Sequence, residues 1–468
     1  MNKIGYIFIC GAILATFCNC NKDKFLDKKP SSSLVIPSTL QDFQALLDNT
    51  TFLNQTPALP TLSGDEYFIP TLNEYNSLST VTEKNSFIWA TDIFGGEINR
   101  LDWNTPYQSI FYANEVIYGI NQLEQSSQQS QEGKQIRAQA YFVRAWNYYA
   151  LVQTFAKSYT SENYQSPGLP LKLTPNIDEI QARSSLKETY DQIFADINYS
   201  CQLFNNTFPV LNRNRGSKIA AYALLSRIYL NIHDYEKANS FADSTLNLYN
   251  KLIDYNTIST SSTSPFPMLN DEVILRTTQV FDYSKTYVGN SATAKIDTNI
   301  IRSYSDDDLR KKIFFRTTKI ENETYYTVKR GYNGTTTGYP FSGLAVDEIY
   351  LIKAECLARS GELEVASKII NDLLITRYKS GTYTNIQYTD KTQLLSIIYS
   401  ERKKELVWRS TRWADIKRLN EEGENITLSR NIEGKTYILK PNSSKYVMPI
   451  PQDEIDLSNK VTQNERFD

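Results

Sequence analysis

Over much of the chain, apolar residues recur every three to four positions, the spacing that gives an α-helix one buried face. In "STLQDFQALLDN", Leu40, Phe43, Leu46 and Leu47 share a face behind Ser38, a candidate N-cap, and predict a short amphipathic helix. "NTPYQSIFYANEVIYGINQLEQ" aligns Tyr107, Ile110, Phe111, Asn114, Ile117 and Ile120. "KQIRAQAYFVRAWNYYALVQTFAKSY" does the same with Ala138, Tyr141, Ala145, Tyr148, Tyr149 and Val152, so the two read as packed antiparallel helices. After the turn-rich "SPGLPL", "SSLKETYDQIFADINYSCQLF" predicts a further helix starting at Ser184 or Ser185, with Glu188 near the capping-box position.

The next segment, "SKIAAYALLSRIYLNIHDYEKANSFADSTLNLY", has the pattern of a tetratricopeptide helix pair. Tyr222, Leu225 and Tyr229 are the large inward residues, and Ser226, Ala238 and Ala242 are the small ones that let the helices approach. "DEIYLIKAECLARSGELEVASKIINDLL" repeats it, with Tyr350, Ala354, Leu357, Gly361, Leu363 and Ala366 in equivalent places. The alignment sets Gly361 opposite His233, the only histidine of the chain. A turn residue at positive φ suits Gly best, and His is among the better substitutes, so His233 reads as a turn residue and not as a catalytic or metal-binding group. The copies stand much farther apart than the ~34 residues of a tandem array, which predicts helix pairs embedded in a larger fold.

Between the copies, residues 251–345 lose helical periodicity and fill with Ser, Thr, Asn, Gly and Tyr. "DEVILRTT" and "TYYTVKRGY" have short β-like runs. Such an excursion on a rigid scaffold is where a binding surface is expected.

The N-terminus reads differently. Lys3 precedes the apolar run "IGYIFICGAILATF", too short for a comfortable membrane span and suited to a secretory signal over residues 1–19. It leads into "FCNCNKDKFLDKKP", where Cys20, with Asn19 before it, is the candidate lipidated residue of a bacterial lipoprotein, ahead of Cys18. Residues 20–34 then form a lipidated N-terminus and tether, followed by an N-terminal helical region (35–250), the loop-rich region (251–345) and a C-terminal helical region (346–468). Cys201 and Cys356 fall in helical patterns and are expected as buried thiols.

Charge narrows the function classes. Lys+Arg number 50 and Asp+Glu 52, a net charge of −2, so no overall field favours nucleic acid as a partner. The basic run of "SERKKELVWRSTRWADIKRL" interleaves with Glu401, Glu405 and Asp415, which points to ion pairing. "SDDDLR", Ser305–Arg310, lacks the spacing of a calcium loop and reads as a helix N-terminus. There is no H-E-x-x-H, C-x-x-C, G-x-S-x-G or P-loop motif, so the chain is read as a non-enzyme without metal or cofactor. The paired carboxylates of a glycosidase leave no linear signature, because what matters there is their separation in space.

In order, "CNKDKFLDKKP", "WNTPYQSIFYANEVI", "RAQAYFVRAWNYYALVQTFA", "GLPL", "ARSSLKETYDQIFADI", "KIAAYALLSRIYLNIHDYEKA", "DEIYLIKAECLARSGELEVA", "ERKKELVWRSTRWADIKRL" and "YVMPIPQDEIDLSNKVTQN" resemble the SusD/RagB family of Bacteroidetes outer-membrane nutrient-binding lipoproteins. One departure is Ala345, which stands three residues before Glu348 where many members carry Arg. The resemblance implies a mostly α fold, a tetratricopeptide-like scaffold of four helix pairs with a few short strands and a loop-rich ligand face. It implies a surface-exposed lipoprotein, anchored in the outer membrane by its N-terminal lipid, that delivers oligosaccharides or polysaccharides to a SusC-like TonB-dependent transporter. A RagB-like peptide binder and a tetratricopeptide scaffold for protein partners are the alternatives. The family's ligand loops correspond to "EYFIP", "FIWATDIFGG" and the central excursion. Since sugars stack on aromatic planes, Tyr67, Trp89, Phe94, Tyr283 and Tyr287 are the candidate ligand contacts, and Trp103, Trp146, Trp408 and Trp413 are assigned to the core.

Overall fold

Side-chain capping sets where several of the helices begin. In the computed structural model, which describes residues 37–467 apart from 99, 288–292, 321, 330–331, 333, 335–338 and 458, helix α1 (Leu40–Leu47) is capped by Thr39 and not by Ser38. The Thr39 hydroxyl accepts from Asp42 N at 3.2 Å, and the Asp42 carboxylate accepts from Thr39 N at 3.0 Å. That reciprocal pair satisfies two of the donors a helix start leaves open. Thr80 and Glu83 close the same box at α2 (Val81–Phe87). The signal segment, Cys20 and the tether lie outside the described residues.

Two long helices, α3 (Leu101–Gln122) and α4 (Gln131–Phe155), pack antiparallel, as their periodicity predicts. Helix α5 (Leu186–Leu203) packs on α4 and starts at Ser185, whose box with Glu188 decides between the two candidate serines. The tetratricopeptide pair is α6 (Lys218–Asn231) and α7 (Tyr235–Leu248). His233 sits in the turn between them at φ 64°, and Gly361 holds the equivalent turn at φ 93°. The left-handed backbone shared by the two turns is the physical content of their alignment.

A four-residue helix, α8 (Ser284–Tyr287), lies in the central excursion, and the second pair is α9 (Val346–Ser360) and α10 (Leu363–Leu374). Helix α9 packs directly on α7, so the two copies are neighbours in space despite their separation in sequence. The scaffold is completed by α11 (Lys391–Glu405), against α9, and α12 (Arg412–Glu421). Among the described residues no helix is long and apolar enough to cross a membrane.

Strands are short and paired in twos. Strand β1 (Tyr67–Phe68) is antiparallel to β2 (Lys295–Ile296), which joins the N-terminal loops to the excursion. β3 (Phe315–Ile320) and β4 (Glu323–Val328) form a hairpin that includes the run "TYYTV", and β5 (Leu428–Ile432) with β6 (Lys435–Leu439) forms another. Beside two smaller apolar clusters, among α9, α10 and α11 and among α1, α3 and α4, one large apolar core joins helix faces and loop residues. Cys356 is buried in it and Cys201 half-buried, both as free thiols, and burial pushes the Cys201 thiol up to about 12.

Candidate functional site

The excursion and the loops of residues 65–97 meet on one face, and Glu83 ties them together. Its Oε1 accepts from Thr286 N and Oγ1 at 3.0 and 2.7 Å, joining α8 to α2. Its Oε2 accepts from Ser79 N and Thr80 N. The β1–β2 pairing adds a second tie, with Tyr67 opposite Ile296 and Phe68 opposite Lys295.

The structure places four of the five candidate aromatics in the core: Tyr67, Trp89, Phe94 and Tyr283 are 4, 3, 5 and 0 % exposed. Their ring faces are covered and unavailable for stacking on a ligand. The reason for Tyr67 is strand alternation, which turns Tyr67 and Ile69 inward and Phe68 outward. The Tyr67 hydroxyl donates to Leu62 O at 2.7 Å, and the Trp89 indole N–H donates to Ser63 O at 2.9 Å. Arg430, from β5, lies 4.6, 3.9 and 5.0 Å from the ring centroids of Tyr67, Phe87 and Trp89 and donates to Gly64 O. Tyr283 donates at 2.6 Å to Oδ2 of Asp102, whose Oδ1 accepts from Ala58 N and Leu59 N. Burial pushes that carboxyl up to about 6, even though these donors favour its ionised form. The fifth candidate, Tyr287, ends α8, and its side chain lies outside the described residues.

The rings this face does present are their neighbours. Phe281 is 42 % exposed and lies 4.6 Å from half-buried Tyr339, which donates to Phe281 O. Phe68 lies 5.9 Å from Tyr325 of β4, both half-buried. Polar groups accompany these rings. Glu74 pairs with Lys295 beside Phe68, and Glu97 pairs with Arg100 at 3.4 Å. Asp282, next to Phe281, is raised by burial despite the opposing charge of Arg100. Sequence signals for two of these rings existed in the alternation of "EYFIP" and in the β-like "TYYTV".

The chain as a whole has counterparts among known proteins. A family model described as starch-binding associating with outer membrane, SusD-like_3, matches residues 24–230. The SusD-like protein P2 of Formosa agariphila is 25 % identical over 439 residues, 82 % of each chain. A SusD superfamily protein from Bacteroides thetaiotaomicron superposes with a TM-score of 0.72 at 21 % identity, over 92 % of this chain and 100 % of that one. A SusD-like carbohydrate binding protein from Bacteroides vulgatus superposes at 0.67 and 20 % identity, over 92 % and 99 %. The chain is similar in sequence to SusD-like proteins and shares their fold.

In this SusD-like fold the charged motifs are structural. Of the basic run, Arg402 pairs with Asp415, Lys403 and Arg412 with Asp65, Lys404 with Glu401, Arg409 with Asp347, and Arg418 with Glu355. Lys417 instead donates to Ala156 O at 3.1 Å, at the end of α4, and burial lowers it to about 8 against the opposing charge of Glu421. "SDDDLR" does run into a helix N-terminus, that of the short helix Arg310–Phe314, but Leu309 is the N-cap and no acidic residue lies in the first turn; Asp308 is buried against Arg310, which also pairs with Glu401 and Glu405. Among the described residues no cluster of His, Cys, Asp or Glu could hold a metal ion. Trp103, Trp146 and Trp413, in helices, and Trp408, in the turn between α11 and α12, are all buried, as their assignment to the core expects.

Proposed function

We propose that this chain binds neutral oligosaccharides or polysaccharides on its loop-rich face and passes them, without a catalytic step, to a SusC-like TonB-dependent transporter. In this reading it is held at the outer membrane by lipid on Cys20. The observation that carries the proposal is the pair of ring contacts, Phe281 with Tyr339 and Phe68 with Tyr325, on the face built by the excursion. Flat apolar rings beside carboxylates offer a pyranose both its C–H contacts and its hydroxyl partners. The sugar-binding descriptions of the family and of the B. vulgatus relative support the same ligand class.

Calorimetric titration of the purified protein with a panel of soluble glycans and peptides tests the reading. Binding of a glycan that weakens on Phe281→Ala and on Tyr325→Ala is the expected result. Silence towards every glycan, or binding of peptides instead, would overturn it.

A further inference from the structure

A pocket of about 340 Å³, lined by none of the residues of that face, opens between the start of α3, residues 170–181 and the short helix Gln452–Asp456. That is more than twice the volume of about 150 Å³ that holds a benzene ring, and within the range of about 300–1,000 Å³ of small-ligand pockets. One wall is fixed in place: Tyr107 donates to Pro170 O at 3.0 Å, and Asn114 and Tyr148 donate to Lys172 O at 2.9 and 2.7 Å. The rim is apolar and open, since Ile177, Ile180 and Leu457 are 75, 49 and 71 % exposed.

Two opposite charges converge on this pocket without pairing. Lys172 is half-buried, its Nζ 6.0 Å from the centre of the Tyr107 ring, and its ammonium has no hydrogen bond or ion pair among the described residues. Glu454 is half-buried beside the Trp103 indole N–H and near enough to Lys172 to feel its charge, yet it too has no ion pair among the described residues. Burial raises the Glu454 carboxyl, while the charge of Lys172 and the indole N–H oppose the rise. The carboxylate of Glu179 is already met by the Thr174 hydroxyl at 2.7 Å and by the Gln181 amide, and Asp178 is exposed to water. Lys172 and Glu454 are therefore the two charges that have lost part of their hydration and gained no partner for it.

The walls select the occupant by what each class of ligand leaves unmet. A neutral sugar answers neither charge with a charge. An anion meets Lys172 but faces Glu454, Glu179 and Asp178, and a simple cation meets Glu454 but faces Lys172. A zwitterion meets both through charge-assisted hydrogen bonds, and an apolar side chain attached to it lies against Tyr107 and the aliphatic rim. We infer that this pocket is a second binding site, for a free amino acid with a large apolar side chain, its ammonium on Glu454 and its carboxylate on Lys172.

The test is a calorimetric titration of the purified protein with L-phenylalanine, beside L-phenylalaninamide, which lacks the carboxylate, and 3-phenylpropionate, which lacks the ammonium. The expected result is saturable binding of L-phenylalanine, at least about tenfold tighter than that of either analogue. Glu454→Gln and Lys172→Met each weaken it about tenfold at an unchanged melting temperature. Phe281→Ala leaves it unchanged, which separates this site from the loop-rich face. No saturable binding up to the solubility of L-phenylalanine, equal binding of either analogue, or binding unchanged in either pocket variant would overturn the proposal.

Discussion

Arg227 of α6 and Glu348 of α9, 121 positions apart in sequence, close a buried ion pair, with Nε to Oε1 at 2.8 Å and Nη2 to Oε2 at 2.5 Å. The pair links the first helices of the two tetratricopeptide-like copies. With Ala345 three residues before it, Glu348 draws its cations from elsewhere in the fold, Arg402 being the second at 3.8 Å. Removing one partner of such a pair strands the other. Arg227→Met is expected to cost about 3–5 kcal/mol, read as a lower urea midpoint at unchanged slope. Adding Glu348→Leu should recover part of the loss, and a single variant as stable as the parent would show that the pair does not clamp the copies.

Phe281 and Tyr283, two residues apart, serve opposite ends. Phe281→Ala is expected to change stability by no more than about 0.5 kcal/mol while weakening glycan binding about tenfold. Tyr283→Phe removes the hydroxyl that meets Asp102 Oδ2, and is expected to cost about 1–3 kcal/mol of stability with binding intact. Melting curves and calorimetry on both variants check the pair, and reversed effects would mean that the binding face has been misread.

His233 gives the scaffold a pH dependence. Burial alone would lower its pKa, but hydrogen bonds and charge from Glu421 and Glu422 outweigh that and hold it at about 9, against an ordinary value of 6.5. The folded state then keeps a proton that the unfolded chain gives up. This stabilisation is fully present below pH 6.5 and is lost as pH rises through 9. His233→Gly keeps a residue suited to φ 64° and should remove that slope from a stability–pH profile while leaving ligand binding unchanged. A profile as steep in the variant as in the parent would assign the slope to other groups.

Cys20→Ala should release the protein from the membrane fraction of cells that express it. Fractionation followed by immunoblotting checks this, and retention on the membrane would exclude Cys20 as the anchor.

The scaffold could be read from the sequence because each helix writes its buried face into a local period, and the alignment of His233 with Gly361 needed only one repeat set beside the other. The start of α1 at Thr39, one residue past Ser38, turned on a side-chain pair that composition alone does not choose. The ligand face was harder. Tyr67 and Phe68 are equally aromatic neighbours, and only the β1–β2 pairing decides which turns inward. Asp102 likewise draws Tyr283 into the core from far along the chain, a relationship with no local trace.

Arg430 reaches from the last hairpin into the rings of Tyr67, Phe87 and Trp89, and Arg466 donates to Val447 O and to Ala90 O. The N-terminal aromatic loops are thus sealed by residues synthesised more than 300 positions after them. A chain cut short before β5 presents these rings to solvent, an apolar surface that proteases and chaperones recognise.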